Sequence, residues 1–288
     1  MKEIVEKLGY LPTDKLLIIH ADDAGLCFAE NEATKKALEK GIVNSTSIMM
    51  PCSWAYEMAV YAKENPQFDY GIHLTLTCEW KNYKFGPVLS AAEVPSLVDK
   101  NGHFYPKRAM VKQNVNPSEV KKELKAQIEL AIAWGVKPTH LDSHMFCLGL
   151  TKEIINVYRE LGKEYNLAVF LSKQLLGDFN METEKYILDT DFTIESVFTG
   201  EWKWFDGAGL DAYYKHAIES LQNGINIILI HPAFNNEEMQ GVAIDHPNFG
   251  AEWRQVDFDF FTDESTQKLL KEKEVKLITW RDIKKVLS

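Results

Sequence analysis

The residues best suited to chemistry are Ala21-Asp22-Asp23-Ala24-Gly25, directly after the apolar run Leu16-Leu17-Ile18-Ile19. A buried strand that ends in two adjacent carboxylates is hard to fold unless cations or strong donors compensate the anions. An Asp turn that caps the next helix is the alternative. Two further segments, Gly71-Ile72-His73-Leu74-Thr75 and Thr139-His140-Leu141-Asp142-Ser143-His144, put histidine in the same strand-like apolar setting. His140, Asp142 and His144 share parity, so an extended backbone points them to one face. Asp22 and Asp23, as neighbours in a strand, project oppositely and take different tasks: one on a metal, the other facing a reacting water. Carboxylate and neutral imidazole with open coordination positions form a catalytic rather than a structural donor set. Such a set suits zinc or another first-row divalent ion, whereas magnesium usually takes more oxygen ligands.

These side chains need strands whose ends converge. Residues 15–20 read as the first strand and Phe28 to Lys40 as a helix closed by Gly41. Ile42 to Met50 is β-rich; Ser53 is expected to cap a helix from Trp54 to Glu64, and Tyr70 to Leu76 is the next strand. Asn116-Pro117 opens a long helix with Val120, Leu124, Ile128 and Ala131 on one face, and Gly135 closes it. A strand from Lys137 to Asp142 follows. Next come a helix capped by Thr151, strand 168–171, helix 211–222, strand 225–230, a helix near 263–273, strand 275–279 and a last short helix. About seven strand–helix units imply a single-domain α/β fold, a deformed TIM-like barrel, closed or nearly closed. No GxGxxG follows the first strand, so the dinucleotide reading loses its main support. Irregular, aromatic-bearing insertions near 78–115, 174–209 and 234–253 read as functional loops or as satellite cores; as a set they suit a sugar.

At 288 residues and 45% apolar content the chain can bury one large core. Asp and Glu outnumber Lys and Arg by 42 to 32, a net charge of −10. So acidic a surface repels phosphate backbones and anionic lipid, which argues against nucleic acid and membrane as partners and for a small-molecule substrate. The N-terminus has no signal-peptide pattern, and no apolar run approaches the roughly 18–20 residues of a membrane span. Cys27, Cys52, Cys78 and Cys147 form no CxxC pair and read as buried reduced thiols, hence a cytoplasmic protein.

The segments Ala21-Asp22-Asp23-x-Gly25, Gly41-Ile42-Val43-x-Ser45-Thr46, Gly71-x-His73-Leu74-x-Leu76-Thr77 and Pro138-Thr139-His140-Leu141-Asp142-Ser143-His144 resemble the YdjC-like carbohydrate deacetylases, which include chitooligosaccharide deacetylases. Val94 to Asp99, Gly102, Phe104 and His231-Pro232 extend the resemblance, which runs from about residue 15 to 260. It implies a deformed TIM-like barrel that hydrolyses N-acetyl groups of sugars with a divalent ion, usually assigned as magnesium. The metal ligands it implies are Asp23, His73 and His144, with Asp22 as the catalytic base that takes a proton from the metal-bound attacking water. For the general acid that protonates the departing amine we select His231, whose alternative is a histidine bonding the loop before Pro232. Arg254 either holds Asp22 ionised or is a solvated helix arginine. His140 and Asp142 orient the ligands. His103, His216 and His246 read as surface or structural. Family members are often dimers, so a homodimer is carried over.

The chain departs from the family pattern in places. His20 stands for the usual asparagine, Ala24 for an aromatic, Ala233 for glycine, and Met145-Phe146-Cys147-Leu148 for further histidines. These changes alter the pocket wall and bear on the choice of sugar. The competing readings are a barrel metalloenzyme of other specificity, such as a sugar isomerase or phosphoester hydrolase, and a non-catalytic sugar- or metal-binding protein.

Overall fold

Parallel β-structure buried on both faces is written into the apolar runs of the first and seventh strands, Leu16 to Ile19 and Ile225 to Ile230. The computed structural model describes residues 2–178, 183–194 and 196–287, with residues 183 and 184 described by backbone alone. The strands are β1 (Lys15–Ala24), β2 (Ser45–Ile48), β3 (Tyr70–Leu74), β4 (His140–Ser143), β5 (Ala168–Val169), β6 (Ser196–Thr199), β7 (Gly224–Ile230) and β8 (Lys276–Leu277). They are ordered β5-β4-β3-β2-β1-β7-β6, with β8 alongside β1, and every pairing is parallel. β1 is the hub: β8 pairs with Leu16 and Leu17, β2 with His20, Ala21 and Ala24, and β7 with Lys15 to Ala21.

The seven-strand path curls into a half-barrel wrapped by helices, one α/β domain of deformed TIM-like form. The expected near-closure is incomplete. Among the described residues β5 and β6 share no ladder. A backbone bond from Ile194 to Leu171 (2.9 Å) spans the gap. The Gln174 amide meets both backbone groups of Val197 (2.8 and 3.1 Å), standing in for a neighbouring strand.

The long helices follow the expected order: Phe28–Lys40, Ala55–Glu64, Pro117–Ala133, Lys152–Glu164, Leu210–Glu219, Glu264–Glu272 and Trp280–Leu287. Asn116 and Thr151 cap their helices by accepting from Ser118 and Ile154. Ser53 does not; the helix starts after Trp54, with no side-chain cap. The irregular stretches contain more regular structure than their composition announces. Residues 78–115 include a helix at Arg108–Asn114, and 174–209 include β6 and a short helix at Trp202–Phe205. In the latter stretch, 179–182 and 195 lie outside the described residues. From the end of the 234–253 stretch the chain forms the helix Ala251–Thr262, which the sequence pattern does not announce. Trp80, Phe104 and Trp253 are core residues, so these loop aromatics are packing and not sugar platforms. All four cysteines are free and buried. Among the described residues, no helix is long and apolar enough to cross a membrane.

One glycine is required by close approach. A Cβ on Gly71 in β3 would stand 2.3 Å from His140 Nε2 on the adjacent strand. The missing side chain lets the His140 ring lie flat inside the barrel, stacked 5.0 Å from Trp280 and edge-on to His20.

Candidate metal centre

A parallel barrel gathers the C-terminal ends of its strands at one mouth. Asp22 and Asp23 stand at the end of β1, His73 late in β3, His144 just past β4 and His231 just past β7. The alternation expected at 22–23 is broken. Asp23 has a left-handed backbone (φ 64°), and the β1–β2 register shifts between Ala21 and Ala24. Both carboxylates therefore reach the mouth instead of facing opposite ways. They still keep different company: Asp23 meets Arg254, His73 and His144, whereas Asp22 meets His20 and His231 and, at 3.9 Å, the far nitrogen of His73.

Three donor atoms converge. Asp23 Oδ1 lies 3.3 Å from His73 Nε2 and 3.1 Å from His144 Nδ1. The far atom of each side chain is taken by a partner. Asp142 Oδ1 holds His73 Nδ1 at 3.0 Å, Glu79 Oε2 holds His144 Nε2 at 3.0 Å, and Arg254 donates to Asp23 Oδ2 at 2.7 Å. A carboxylate behind each imidazole orients the ring, so that the other nitrogen faces inward and offers its lone pair once its proton is released. The three residues thus fit a divalent cation in donor type, convergence and support. Two other groups, His20-His140-Asp142 and Asp22-His73-Asp142, also bring possible donors within 4.8 Å of one another. They use the Asp142 that supports His73, and His20 in the first has both nitrogens occupied by hydrogen bonds.

Charge follows from the same contacts. Burial alone pushes both imidazoles down, but Glu79 and Asp23 carry His144 up to about 9, and Asp142 and Asp22 hold His73 well above its usual range. Burial would raise the Asp23 carboxyl, yet Arg254 and then His144 hold it well below the usual carboxylate range. His231 is different: burial outweighs its neighbours and takes it down to about 4. Its Nε2 lies 3.7 Å from Asp22 Oδ2, and its ring packs edge-on against Phe249 at 4.9 Å. Asp257 accepts the His231 backbone N–H at 2.8 Å, which fixes the turn after β7.

Arg254 corrects the sequence reading on both counts. It is 1% exposed, so it is not solvated, and it binds Asp23, not Asp22. The same guanidinium donates to Glu30 Oε2 (2.7 Å) and to the Phe249 carbonyl (2.7 Å). Asp142 supports His73 as expected. His140 supports none of Asp23, His73 and His144 by hydrogen bond; its Nδ1 meets Thr139 and its Nε2 has no partner. Sequence patterning does not single out Glu79, Glu30, Ser47 or Asp257. Glu79 sits in the first loop beyond β3, six residues after His73, and Asp257 follows Arg254 by three on one helix face. Those spacings were the available signals.

The YdjC-like protein family model matches residues 16–272. The chain belongs to this family. It is 31% identical over 233 residues to a chitooligosaccharide deacetylase of Yersinia enterocolitica, covering 77% of this chain and 83% of that one. It is 26% identical over 270 residues to a carbohydrate deacetylase of Thermoanaerobacter pseudethanolicus, covering 94% of this chain and all of the relative. Among solved structures, the fold matches a "putative cellobiose-phosphate cleavage protein" of Enterococcus faecalis V583. The TM-score is 0.75 at 24% identity, over 94% of this chain and 99% of that one.

Proposed function

We propose that this protein is a metal-dependent hydrolase that removes N-acetyl groups from acetylated sugars, with Asp23, His73 and His144 as metal ligands and Asp22 and His231 as the proton-handling pair. One observation carries the reading. Three buried donors point inward with their outer atoms held by Asp142, Glu79 and Arg254, and a carboxylate–imidazole pair stands beside them. The names of the relatives supply the substrate class. A divalent ion held by these ligands would supply a Lewis acid for the acetamide carbonyl and lower the pKa of a water; magnesium is the family's usual ion, and the donor set also suits zinc.

The rest falls to the chain's own groups. Asp22 Oδ2 faces the reacting centre and takes the proton of the attacking water as the acetamide carbon–nitrogen bond is broken. His231, held neutral by burial, starts the reaction as a proton acceptor. It receives that proton from Asp22 across the 3.7 Å gap and delivers it to the departing nitrogen, leaving a free amine and acetic acid, which ionises to acetate. Little of the pair is open to solvent: the side chains of Asp22 and His231 are 10% and 15% exposed, and those of the three ligands 5% or less.

The test is acetate release from a panel of N-acetylglucosamine mono- and oligosaccharides. Turnover is expected to vanish with chelator and to fall about a hundred- to ten-thousandfold in Asp22→Asn with metal still bound. Metal-loaded protein that releases no acetate from any acetylated sugar overturns the reading. Phosphate release or aldose–ketose interconversion would replace it with a barrel enzyme of other specificity. Saturable sugar binding without product would replace it with a binding protein.

A further inference from the structure

Behind Asp22 lies a buried polar group that the reaction above does not use. His20, 1% exposed in the middle of β1, meets Ser45 Oγ with Nδ1 (2.9 Å). Its Nε2 meets Asp142 Oδ2 (2.8 Å), Ser47 Oγ (3.1 Å) and Asp22 Oδ1 (3.2 Å). The donors can be counted. Asp69 already accepts the backbone N–H groups of Trp280 and Arg281, and it also takes the Ser45 hydroxyl proton at 2.9 Å. Ser45 is left only a lone pair for His20, so Nδ1 carries a proton. Ser47 gives its proton to Asp142 Oδ2 at 2.7 Å, so all three oxygens around Nε2 are acceptors and Nε2 carries a proton as well. A ring that donates from both nitrogens is a cation.

Asp22 Oδ1 is the atom that needs this cation. It is buried and accepts no well-aligned hydrogen bond. The titratable groups facing the Asp22 carboxylate are His20 Nε2 at 3.2 Å, His73 Nδ1 at 3.9 Å and His231 Nε2 at 3.7 Å. Of these, His20 is the nearest, and it meets the inner oxygen Oδ1. We propose that His20 is a positioning residue, a buried imidazolium that ties the inner oxygen of Asp22 to Asp142 and so presents the outer oxygen to the reacting centre. Its edge-on contact with His140, which stacks on Trp280, fixes the ring plane. Consistent with this, burial pushes His20 down, but Asp142 and Asp22 outweigh it and carry the group up to about 9.

The inference rests on Asp22 being the base of the proposed reaction, and its first test does not depend on turnover. In zinc-loaded protein labelled with 15N-histidine, the His20 signals are those lost in His20→Gln, or in His20→Asn should the glutamine variant not fold. At pH 7.5 both nitrogens are expected to be protonated; one bare nitrogen overturns the proposal. The second test uses the same variant, whose amide reaches the Nε2 position but bears no charge. With zinc content and KM unchanged, kcat is expected to fall about 10- to 100-fold. An unchanged kcat overturns the positioning role. If the parent protein releases no acetate from any acetylated sugar, the proposed reaction fails, and the nitrogen signals still decide the charge on His20.

Discussion

Arg254→Met tests the support of the site. The guanidinium bonds both Asp23 and Glu30, at 2.7 Å from each, and all three side chains are 1% exposed or less; His73 and His144 meet the other oxygen of Asp23. Methionine keeps much of the volume and removes the charge. Breaking a buried pair from one side leaves Asp23 Oδ2 without its cation and costs about 3–5 kcal/mol. At about 2–4 °C per kcal/mol for a large domain, the melting temperature falls by about 6–20 °C. The anion left behind is Asp23, because burial pushes Glu30 up to about 8 and keeps it protonated near neutrality. Glu30→Gln should therefore lose much less than Arg254→Met, and adding Asp23→Asn to Arg254→Met should recover part of the loss. Calorimetric melts of the two single variants and the double variant, run after chelation, measure all three. A melting temperature for Arg254→Met within about 2 °C of the parent would refute the reasoning, since no buried anion would then depend on that cation.

Glu30 also gives the stability a pH dependence. Its folded pKa lies above the ordinary 4.5, so the unfolded chain releases this proton first; the contribution is complete below about pH 4.5 and gone once pH rises past about 8. Urea midpoints across that window should fall with pH in the parent more steeply than in Glu30→Gln, and parallel curves would count against the assignment. Metal binding should release protons, because Glu79 and Asp23 carry His144 to about 9 and Asp142 and Asp22 hold His73 higher still than usual. Titration calorimetry of chelated protein with zinc at pH 7, in buffers of different ionisation enthalpy, should return about two protons per ion; none would exclude these imidazoles as ligands. Glu79→Gln should weaken metal affinity about 10- to 100-fold through the loosened His144, with competition against a chromogenic chelator as the readout.

Much of the fold and of the site is legible in the sequence because both rest on local pattern. The run Leu16 to Ile19 demands a doubly buried strand, and the repeating strand–helix order demands parallel neighbours. From there the ends of β1, β3 and β4 have to meet at one mouth, bringing Asp23, His73 and His144 together. What was hidden depends on long-range partners. Arg254 reads as an ordinary helix arginine until Ala251–Thr262 packs it on Asp23, 231 positions away. Ser45 and Ser47 look like β-strand filler, yet they settle where the His20 protons sit. Loop aromatics such as Trp80 carried a composition signal for sugar binding, and the fold used them as core beneath Arg254, whose guanidinium lies 5.4 Å from the Trp80 ring.

The Asp22-Asp23 pair shows why alternation alone was not enough. A regular strand would send one carboxylate into the helical layer, where its desolvation would go uncompensated. The left-handed turn at Asp23 is a conformation that aspartate tolerates better than most residues. It rotates the second carboxylate back toward the mouth, and the register shift against β2 absorbs the change. The local strain of such a backbone, on the order of 1–3 kcal/mol, persists only where surrounding contacts over-determine it. Here three do so: Arg254 on one oxygen of Asp23, and His73 and His144 on the other. The strained residue, the buried arginine and the two imidazoles are thus one structural unit. A substitution at any of them should loosen the others, which is why the Arg254 and Asp23 variants are expected to be non-additive.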